Sequence, residues 1–552
     1  MRKFLWWTLG VVIIVAAVAF ALRGTLMRYA PGIIGRLSDP IGATQPVTWG
    51  ANPAWPADQP RPPNVVVILA DDLGFNDITL DGGVANGPNG PLVPTPNIDS
   101  IAHDGVRFLN GYTGNATCAP SRAAIMTGRY ATRFGFEFTP APKAFSRLIA
   151  NFNYDTRKPI YHPELEDQVP DLAKLAVPPS EITIAELLKT KGYRTLMLGK
   201  WHLGEAPGTR PTDQGFDDFV GFWSGAQMYG DPNDPNIVNS KQEFDPIDVF
   251  LWSNLTFAVR KDAGKRFTPG EYMTDYLADE AVRAIDANKD DPFFLYVAFN
   301  APHTPLQATK ADYDALADIP DHRLRVYGAM IRALDRGVGK VLGALHERGL
   351  DDNTLVIFTS DNGGADYIGL PDINKPYRGW KATFFEGGIH APFFMRFPGR
   401  IPAGSTYAPP VAHIDIFATA AAAANAPLPT DRVIDGVDVI PFVRGEASGE
   451  PHKSLYWRSG DYRTLIAGGY KLQVAGRPDK AWLFDLNADP TEQNNLAAAQ
   501  PERVAELKAE LMARDAEMAK PLWPSLIEGP FYIDHPLGVP DKPDDEYVYW
   551  SN

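Results

Sequence analysis

Four short apolar segments of this 552-residue chain end directly in polar residues. The segments are, in chain order, Val65–Ala70, Arg194–Leu198, Phe293–Phe299 and Leu355–Thr359. Several lack polar alternation, which is typical of parallel strands buried on both faces. Helical patterns lie among them, at Glu181–Lys191, Tyr272–Asn288 and Leu324–Glu347. The sequence therefore predicts an α/β fold, with a large, mainly parallel sheet sandwiched by helices.

The polar residues that follow these strands have types suited to chemistry. They are Asp71, Asp72, Lys200, His202, His303, Asp361 and Asn362. In an open parallel sheet, sites form beyond the carboxyl ends of the strands, so we expect these side chains to share one site. The carboxylates and the amide are hard oxygen ligands, which favour Ca²⁺ or Mg²⁺ over zinc. Adjacent aspartates also cap helices and turn the chain, and this is the structural alternative.

The pattern changes after about residue 450. Short strands are predicted at Ser454–Trp457, Thr464–Ala467, Tyr470–Ala475 and Trp482–Leu486, and an amphipathic helix at Pro501–Met518. This predicts a smaller C-terminal antiparallel sheet with a helix packed on it. The Pro- and aromatic-rich chain from Pro521 onwards is expected to wrap over the surface.

An apolar segment, Phe4–Leu22, follows the basic residues Arg2 and Lys3. About 19 helical residues span the hydrocarbon core of a bilayer, and the basic start favours a cytoplasmic N-terminus. Ala19-Phe20-Ala21 offers a cleavage site, so a signal peptide is the alternative to a membrane anchor. Either reading predicts a protein outside the cytoplasmic membrane, in a bacterial periplasm, anchored or secreted.

Four regions are predicted along the chain. Residues 1–23 form the anchor or signal peptide, and residues 24–63 form a tether in which prolines exclude regular helix. Residues 64–450 form the catalytic domain, and residues 451–552 form a C-terminal subdomain and tail.

The chain carries a formal net charge of −15. A chain this acidic has no general field that attracts nucleic acid, so we expect no nucleic-acid partner. An anionic substrate would require a local cluster of cations. Cys118 is the one cysteine of the sequence, which excludes an intrachain disulfide and a multi-cysteine metal site.

Cys118 begins the segment Cys118-Ala119-Pro120-Ser121-Arg122, and Thr127-Gly128-Arg129 follows after a helical stretch. Pro120 suits the first turn of a helix, so residue 118 should lie at a helix N-terminus, which favours an oxyanion. A lone cysteine is ordinarily a small buried hydrophobe. Here, however, the chain resembles the sulfatase family, whose maturation signal is Cys-x-Pro-Ser-Arg followed by a helix and Thr-Gly-Arg.

The resemblance implies a sulfuric ester hydrolase, arylsulfatase-like, with an alkaline phosphatase-like fold. A formylglycine-generating enzyme would convert Cys118 to formylglycine (3-oxoalanine), whose hydrated form attacks sulfur. The matching motif positions imply a Ca²⁺ site, with Mg²⁺ as the alternative, at Asp71, Asp72, Cys118, Asp361 and Asn362.

The resemblance also assigns catalytic and substrate-binding roles. Lys200, His303 and Lys381 would bind the substrate, and Arg122, one turn after Cys118, would hold the modified side chain or neutralise its alkoxide. His202 would be the base, and His303 the acid for the leaving alcohol, a task that Lys381 can share. His390 and His413 stand where the family pattern differs, and we predict structural roles for both.

Two other functions stay open. A phosphonate monoester or phosphodiester hydrolase of the same superfamily shares the modified cysteine, and a non-catalytic surface binding protein would keep Cys118 unmodified. The substrate is expected to be a sulfated small molecule or carbohydrate. Trp201, Trp223 and Tyr229 are candidates for stacking on a sugar, although aromatic residues more often fill cores.

Overall fold

The computed structural model describes residues 6–8, 23–56, 58–88, 90–152 and 157–552. Most of the segment Phe4–Leu22, predicted to be a membrane anchor or signal peptide, lies outside these residues. Within the described ranges, no helix combines the length and the apolar character needed to cross a membrane.

The α-helices of the described residues are α1 (Arg23–Ser38), α2 (Pro96–His103), α3 (Cys118–Thr127), α4 (Lys143–Ala150), α5 (Ile184–Lys189), α6 (Pro246–Asn254), α7 (Met273–Asn288), α8 (Lys310–Asp314), α9 (His322–Glu347), α10 (Glu386–Ile389), α11 (Ile414–Ala423), α12 (Ile440–Val443) and α13 (Pro501–Asp515). The three helices predicted before residue 350 appear as α5, α7 and α9.

The β-strands are β1 (Asn64–Asp71), β2 (Asn86–Gly87), β3 (Gly90–Pro91), β4 (Val106–Phe108), β5 (Gly111–Tyr112), β6 (Ile160–Tyr161), β7 (Arg194–Lys200), β8 (Asp218–Phe222), β9 (Ile237–Ser240), β10 (Val259–Lys261), β11 (Arg266–Phe267), β12 (Phe293–Pro302), β13 (Leu306–Thr309), β14 (Thr354–Ser360), β15 (Phe393–Arg396), β16 (Ser405–Tyr407), β17 (Val411–Ala412), β18 (Ser454–Ser459), β19 (Tyr462–Ala467), β20 (Tyr470–Gly476), β21 (Asp479–Asp485), β22 (Ile527–Tyr532) and β23 (Tyr547–Ser551).

A ten-stranded sheet forms the centre of the molecule, in the order β11-β10-β8-β7-β12-β1-β14-β15-β4-β16. The neighbours from β8 to β14 run parallel, whereas β10 and β15 are antiparallel to both of their neighbours. The four strands predicted from the sequence are the adjacent central strands β7, β12, β1 and β14. The predicted fold class is confirmed.

Helices cover both faces of this sheet, which explains why its central strands lack polar alternation. Val66 and Ile68 of β1 pack into the core that contains α7 and α9, while Val65 and Val67 pack into the core that contains α3, α5 and α11. Every residue of β1 is buried. Burial stabilises the fold by about 1.5–3 kcal/mol for each such side chain.

The C-terminal region contains the predicted antiparallel sheet. Strands β18 to β21 pair in sequence order, and α13 packs on them through Leu507 and Leu511. The tail does more than cover the surface, because β22 pairs with both β23 and β6. This three-stranded sheet joins the tail to the segment that precedes β7.

The prolines predict no regular helix in residues 24–63, and for Arg23–Ser38 this prediction is wrong. That segment forms α1 in spite of Pro31, and it packs on α6. The Gly32 amide donates a hydrogen bond to Asn254 Oδ1 at 2.7 Å. The remaining prolines begin at residue 40, so they exclude helix only from the later part of the segment.

Candidate active site

The polar residues that follow the central strands meet at one edge of the sheet. Asp71 ends β1, Lys200 ends β7 and Asp361 follows β14. The Asp361 amide donates to the Ala70 carbonyl at 3.1 Å, and the Asp72 amide donates to Asp361 Oδ1 at 3.2 Å. The structure thus brings together the groups that strand-end placement predicted to be neighbours.

Three residues at this edge of the sheet have a left-handed backbone conformation. Asp72 and His202 have φ of 60° and 62°, and Ala382, beside Lys381, has φ of 65°. Residues with a side chain rarely adopt this conformation, which costs about 1–3 kcal/mol at each position. The surrounding buried structure holds these residues in place and aims their side chains, as is typical of functional sites.

Cys118 is the first residue of α3 and is buried. Its Sγ lies 3.2 Å from Lys381 Nζ and 3.8 Å from Asp72 Oδ1. Burial raises the pKa of the thiol, but the charges of Lys200 and Lys381 outweigh this effect and lower the pKa to about 7. The surroundings of residue 118 therefore favour negative charge.

Two completely buried cations flank Cys118, and each pairs with a carboxylate. Lys200 Nζ donates to the two oxygens of Asp71 at 2.9 and 2.7 Å. Arg122 Nε donates to Asp361 Oδ2 at 2.8 Å, and its Nη1 donates to the Lys200 carbonyl at 2.8 Å. Such charges need close partners because desolvation costs several kcal/mol for each ion. The acidic chain therefore contains the local cationic cluster that an anionic substrate requires.

Asp72 lies at the centre of a second network. Lys381 Nζ donates to its two oxygens at 2.8 and 2.9 Å, and Asn362 Nδ2 donates to Oδ1 at 2.7 Å. The Tyr367 hydroxyl donates to Oδ2 at 2.8 Å and accepts from Lys381 Nζ at 3.0 Å. Burial raises the pKa of Asp72, but neighbouring cations, Lys381 foremost, outweigh it and hold that pKa well below its ordinary value.

The two histidines of the site have opposite electrostatic surroundings. Burial, reinforced by Lys200, holds the pKa of His202 well below its ordinary value, which favours the neutral ring. Burial lowers the pKa of His303 too, but Asp72 outweighs it and raises that pKa. His303 Nε2 lies 3.6 Å from Asp72 Oδ2. A neutral imidazole is suited to accept a proton, and a protonated one to donate.

Two carboxylate oxygens, a thiol sulfur and an imidazole nitrogen lie close enough together to hold a metal ion. Ligand atoms of Asp71, Asp72, Cys118 and His303 all lie within 4.8 Å of one another, so the site has the spacing of a metal centre. Asn362 is completely buried, and its Oδ1 has no hydrogen-bond partner among the described residues. Leaving a buried acceptor unpaired costs about 1–3 kcal/mol, and a bound cation would remove this cost.

Two residues of the site have no counterpart in the sequence predictions. Tyr367 bridges Asp72 and Lys381 from a short 3₁₀ turn, Asp366–Ile368, which no strand-end pattern marks. Gly225 lies against His202, where a Cβ would come within 2.7 Å of the ring. Glycine is thus the residue that leaves room for the imidazole.

His390 and His413 contact protein groups. His390 Nδ1 lies 2.7 Å from Glu386 Oε2. The two ring nitrogens of His413 each lie 3.0 Å from a hydroxyl, that of Ser121 and that of Thr359. Burial lowers the pKa of His413 to about 3, so its ring is neutral and joins α3 to β14. These contacts agree with the structural roles predicted for both residues.

A buried cationic cluster at a helix N-terminus, facing carboxylates at the edge of a parallel sheet, defines a hydrolase site for esters of a tetrahedral oxyanion. The sulfatase family profile matches residues 63–426, and the profile described as N-sulphoglucosamine sulphohydrolase, C-terminal, matches residues 378–520. The chain belongs to the sulfatase family of the alkaline phosphatase superfamily, and it is a sulfuric ester hydrolase.

Individual relatives agree with this family. The N-acetylgalactosamine-6-sulfatase of Mus musculus is 33% identical over 425 residues, which cover 76% of this chain and 73% of that protein. The steryl-sulfatase of Mus musculus is 32% identical over 529 residues, which cover 83% and 75%. The crystal structure of Ps i-CgsB in complex with k-i-k-neocarrahexaose matches with a TM-score of 0.68 at 29% identity, and covers 84% of this chain and 95% of that one.

Proposed function

We propose that the chain hydrolyses sulfate monoesters with a nucleophile derived from Cys118. The observation that carries this proposal is the position of Cys118 at the start of α3, 3.2 Å from the ammonium of Lys381. A formylglycine-generating enzyme would convert the side chain to formylglycine, and the hydrated form supplies the oxygen that attacks sulfur. The N–H groups and dipole of α3 stabilise negative charge at this point.

The cations bind the anionic group and hold the nucleophile. Lys200 and Lys381 attract the sulfate oxygens as point charges, and His303 contacts the substrate beside them. Arg122 lies one turn after Cys118 on α3 and is fixed by its bond to Asp361, so it orients the modified side chain. Removing either lysine is expected to weaken binding and turnover together.

The histidines divide the proton transfers. His202, whose lowered pKa favours the neutral ring, accepts the proton of the remaining hydroxyl before sulfate leaves. His303, whose raised pKa favours the charged ring, donates a proton to the departing alcohol oxygen. Lys381 can share this second task, because its ammonium lies beside Cys118.

The oxygen donors fit a bound Ca²⁺ ion, with Mg²⁺ as the alternative. Asp71, Asp72, Asp361 and Asn362 would hold it, together with an oxygen of the converted Cys118. All are hard ligands, and the unpaired Oδ1 of Asn362 supports the fit. When bound, the cation polarises the sulfate group. Ca²⁺ should raise the melting temperature of the protein and Asn362→Ala should reduce that rise; no response to Ca²⁺ or to a chelator would contradict the site.

Phosphonate monoesters and phosphodiesters are the alternative substrates, because their charge and geometry resemble those of a sulfate monoester. The combination of Lys200, His202, His303 and Lys381 supports sulfate. Measuring kcat/KM for an aryl sulfate, a phosphonate monoester and a phosphodiester separates the activities. Faster hydrolysis of either phosphorus ester would overturn the proposal.

A non-catalytic binding protein would keep Cys118 as a thiol. Conversion to formylglycine lowers the mass of the peptide that contains residue 118 by about 18 Da, because H₂S is lost and oxygen is gained. An unshifted peptide from a host with the maturation enzyme would support the binding protein. Cys118→Ala should abolish turnover without lowering the melting temperature, and residual turnover at the wild-type rate would refute covalent catalysis.

The names of the relatives support two substrate classes for this chain. N-acetylgalactosamine-6-sulfatase and the complex with neocarrahexaose support a sulfated carbohydrate, and steryl-sulfatase supports a sulfated small molecule. We also propose an extracytoplasmic location, in a periplasm, with residues 1–23 acting as an anchor or a cleaved signal peptide. Protease protection and N-terminal sequencing of the mature chain would test it.

A further inference from the structure

A cavity of about 490 Å³ extends from the catalytic residues to an apolar wall. Cys118, His202, His303 and Lys381 line one part of it, and α1, α4, α6 and β22 supply much of the remainder. The large apolar side chains of that remainder include Phe145, Ile149, Ile247, Phe250, Leu251 and Phe531. A ligand whose sulfate lies beside Cys118 would therefore place its other end against hydrocarbon.

Most polar side chains in this wall are already bonded to the protein. The amide of Asn254 has three backbone partners at 2.7–2.8 Å, and the carboxylate of Asp245 accepts from two backbone N–H groups of α6. Arg266 donates to two backbone carbonyl oxygens and one hydroxyl. Thr139 Oγ1 and Asp366 Oδ1 have no partner among the described residues. Apart from Arg36 and Glu205, which also line the cavity, a ligand rich in hydroxyl groups finds few further bonding partners here.

The aromatic residues considered for sugar stacking are engaged elsewhere. Trp201 and Tyr229 belong to the core, with 1% and 0% of their surface exposed. Trp223 lines the cavity, but the guanidinium carbons of Arg210 and Arg260 lie 4.3 and 3.9 Å from its ring centroid. Guanidinium groups, rather than a sugar, occupy the surface of this ring.

We propose that the substrate is an amphiphilic sulfate monoester, in which the alcohol part is a hydrocarbon chain or ring system. The inference rests on the proposed function for the position of the sulfate and concerns the rest of the cavity. A hydrocarbon gains free energy by leaving water, whereas a sugar would leave hydroxyl groups unpaired against the apolar wall. The cavity thus selects by the polarity of the alcohol.

Straight-chain alkyl sulfates from methyl to octyl test this lining directly. We expect kcat/KM to rise roughly fourfold for each added methylene that becomes buried. Octyl sulfate should also be hydrolysed faster than a sulfated N-acetylhexosamine. A series with no dependence on chain length, or a preference for the sugar sulfate over octyl sulfate, would overturn the inference.

Two glycine variants locate the effect in the cavity. Gly35 of α1 lines it, and a Cβ at Gly35 meets no atom within 4 Å, so a larger side chain such as leucine can begin there without a clash. Gly343 of α9 has equally open surroundings but lines a different surface, which makes Gly343→Leu the matched control. Gly35→Leu should lower the octyl-to-methyl ratio of kcat/KM at least about tenfold relative to Gly343→Leu. Equal ratios in the two variants would contradict the assignment.

A polar substitution in another wall keeps the test independent of α1. Ile149 of α4 is half-buried, so Ile149→Asn adds an amide to the wall at a position that tolerates it. The ratio of kcat/KM for octyl over methyl sulfate should fall in this variant as well. An unchanged ratio in a folded Ile149→Asn protein would count against the inference.

Binding measurements separate this inference from the proposed function. Cys118→Ala cannot form the nucleophile, and calorimetric titration with the same alkyl sulfates should give affinities that rise with chain length. If affinity rises but the mature enzyme cleaves no sulfate ester, the proposed function fails, and only the selection of apolar ligands by the cavity stands. If aryl sulfate is cleaved while neither rate nor affinity depends on chain length, the inference fails and the function stands.

Discussion

Replacing Lys471 by methionine tests how the C-terminal sheet is attached to the catalytic region. Lys471 lies in β20 and is completely buried, and its Nζ lies 2.8 Å from Glu386 Oε1 and 2.9 Å from Glu492 Oε1. Glu386 begins α10, five residues after Lys381. Methionine keeps the length of the side chain but removes its charge, so two buried carboxyl groups lose their shared partner.

The expected cost is about 3–5 kcal/mol, because breaking a buried ion pair leaves an uncompensated charge in the interior. Unfolding entropy is about 2.1 cal/mol/K per residue near 60 °C, so this cost lowers the melting temperature by about 3–4 °C if all 552 residues unfold together. If residues 451–552 unfold separately, the same cost lowers their melting temperature by roughly 14–23 °C. The size of the shift therefore also reports the unit that unfolds.

Differential scanning calorimetry measures this shift. Lys480→Met is the matched control, because Lys480 belongs to the same sheet and pairs with Glu546, but its side chain is 37% exposed. An exposed pair contributes about 0–1 kcal/mol. The control should therefore melt within about 1 °C of wild type if the whole chain unfolds together, and within about 5 °C if residues 451–552 unfold separately. A Lys471→Met protein that melts as high as the control would refute the reasoning.

The pH dependence of the stability lost in Lys471→Met provides a second check. Burial raises the pKa of Glu492 to about 7 even with Lys471 in place. Without Lys471, burial raises the pKa of both carboxyl groups above their unfolded values, so the destabilisation is greatest at high pH and fades as protons bind. The stability loss of Lys471→Met should therefore be smaller at about pH 5 than at about pH 8. It should persist at pH 5, because burial raises the pKa of Glu386 but Lys471 outweighs it and lowers that pKa to about 2 in the wild type. A stability loss that grows as pH falls would contradict the role of the Lys471 charge in neutralising the two buried carboxylates.

Three further outcomes follow from single contacts. Tyr367→Phe removes a hydroxyl that donates to a buried carboxylate, so kcat/KM for an aryl sulfate should fall roughly tenfold; an unchanged value would exclude a role for that bond. Gly225→Ala brings a methyl group to 2.7 Å from the His202 ring, so kcat should fall while the melting temperature changes little. Wild-type kinetics in this variant would mean that the ring moves aside. Burial lowers the pKa of His452, but Asp415 outweighs burial and raises that pKa. The charged imidazole therefore stabilises the fold below about pH 6.5, and this stabilisation is lost as pH rises. His452→Gln should therefore be less stable than wild type at about pH 6 and equal to it at about pH 9, and a deficit that grows with pH would contradict this sign.

The central sheet could be predicted because its strands are buried on both faces. β1 and β12 are continuous apolar runs, so both faces of the sheet must be covered, and a layer of helices on each side provides this cover. Their polar ends share an edge for the same reason, so the proximity of Asp71, Lys200 and Asp361 followed from strand direction. Lys381, which lies 3.2 Å from Cys118, was assigned only by the family resemblance. Pairing order did not follow, because β1 finds its partners in β12 and β14, more than 200 residues later in the chain.

The remaining features depend on contacts that no local pattern encodes. The position of Tyr367 is set by a turn between two loops, and the room left by Gly225 matters only once His202 lies beside it. Helix α1 contains Pro31 and is held by its contact with Asn254 of α6. The apolar cavity is assembled from many separate segments, among them α1, α4, α6 and β22, so neither its volume nor its polarity could be derived from the sequence of any one of them.

The pairing of β1 with strands that come more than 200 residues later also affects when the sheet can form during synthesis. About 240 residues separate Cys118 from the end of β14, and a ribosome adding about 5–20 residues per second takes roughly 10–50 s to supply them. Until β14 is available, the centre of the sheet cannot close against α3. The segment around Cys118 therefore reaches its final position only after β14 is available, and in the folded chain Cys118 is only 3% exposed. An enzyme that converts this residue, as proposed above, would have to act before that point.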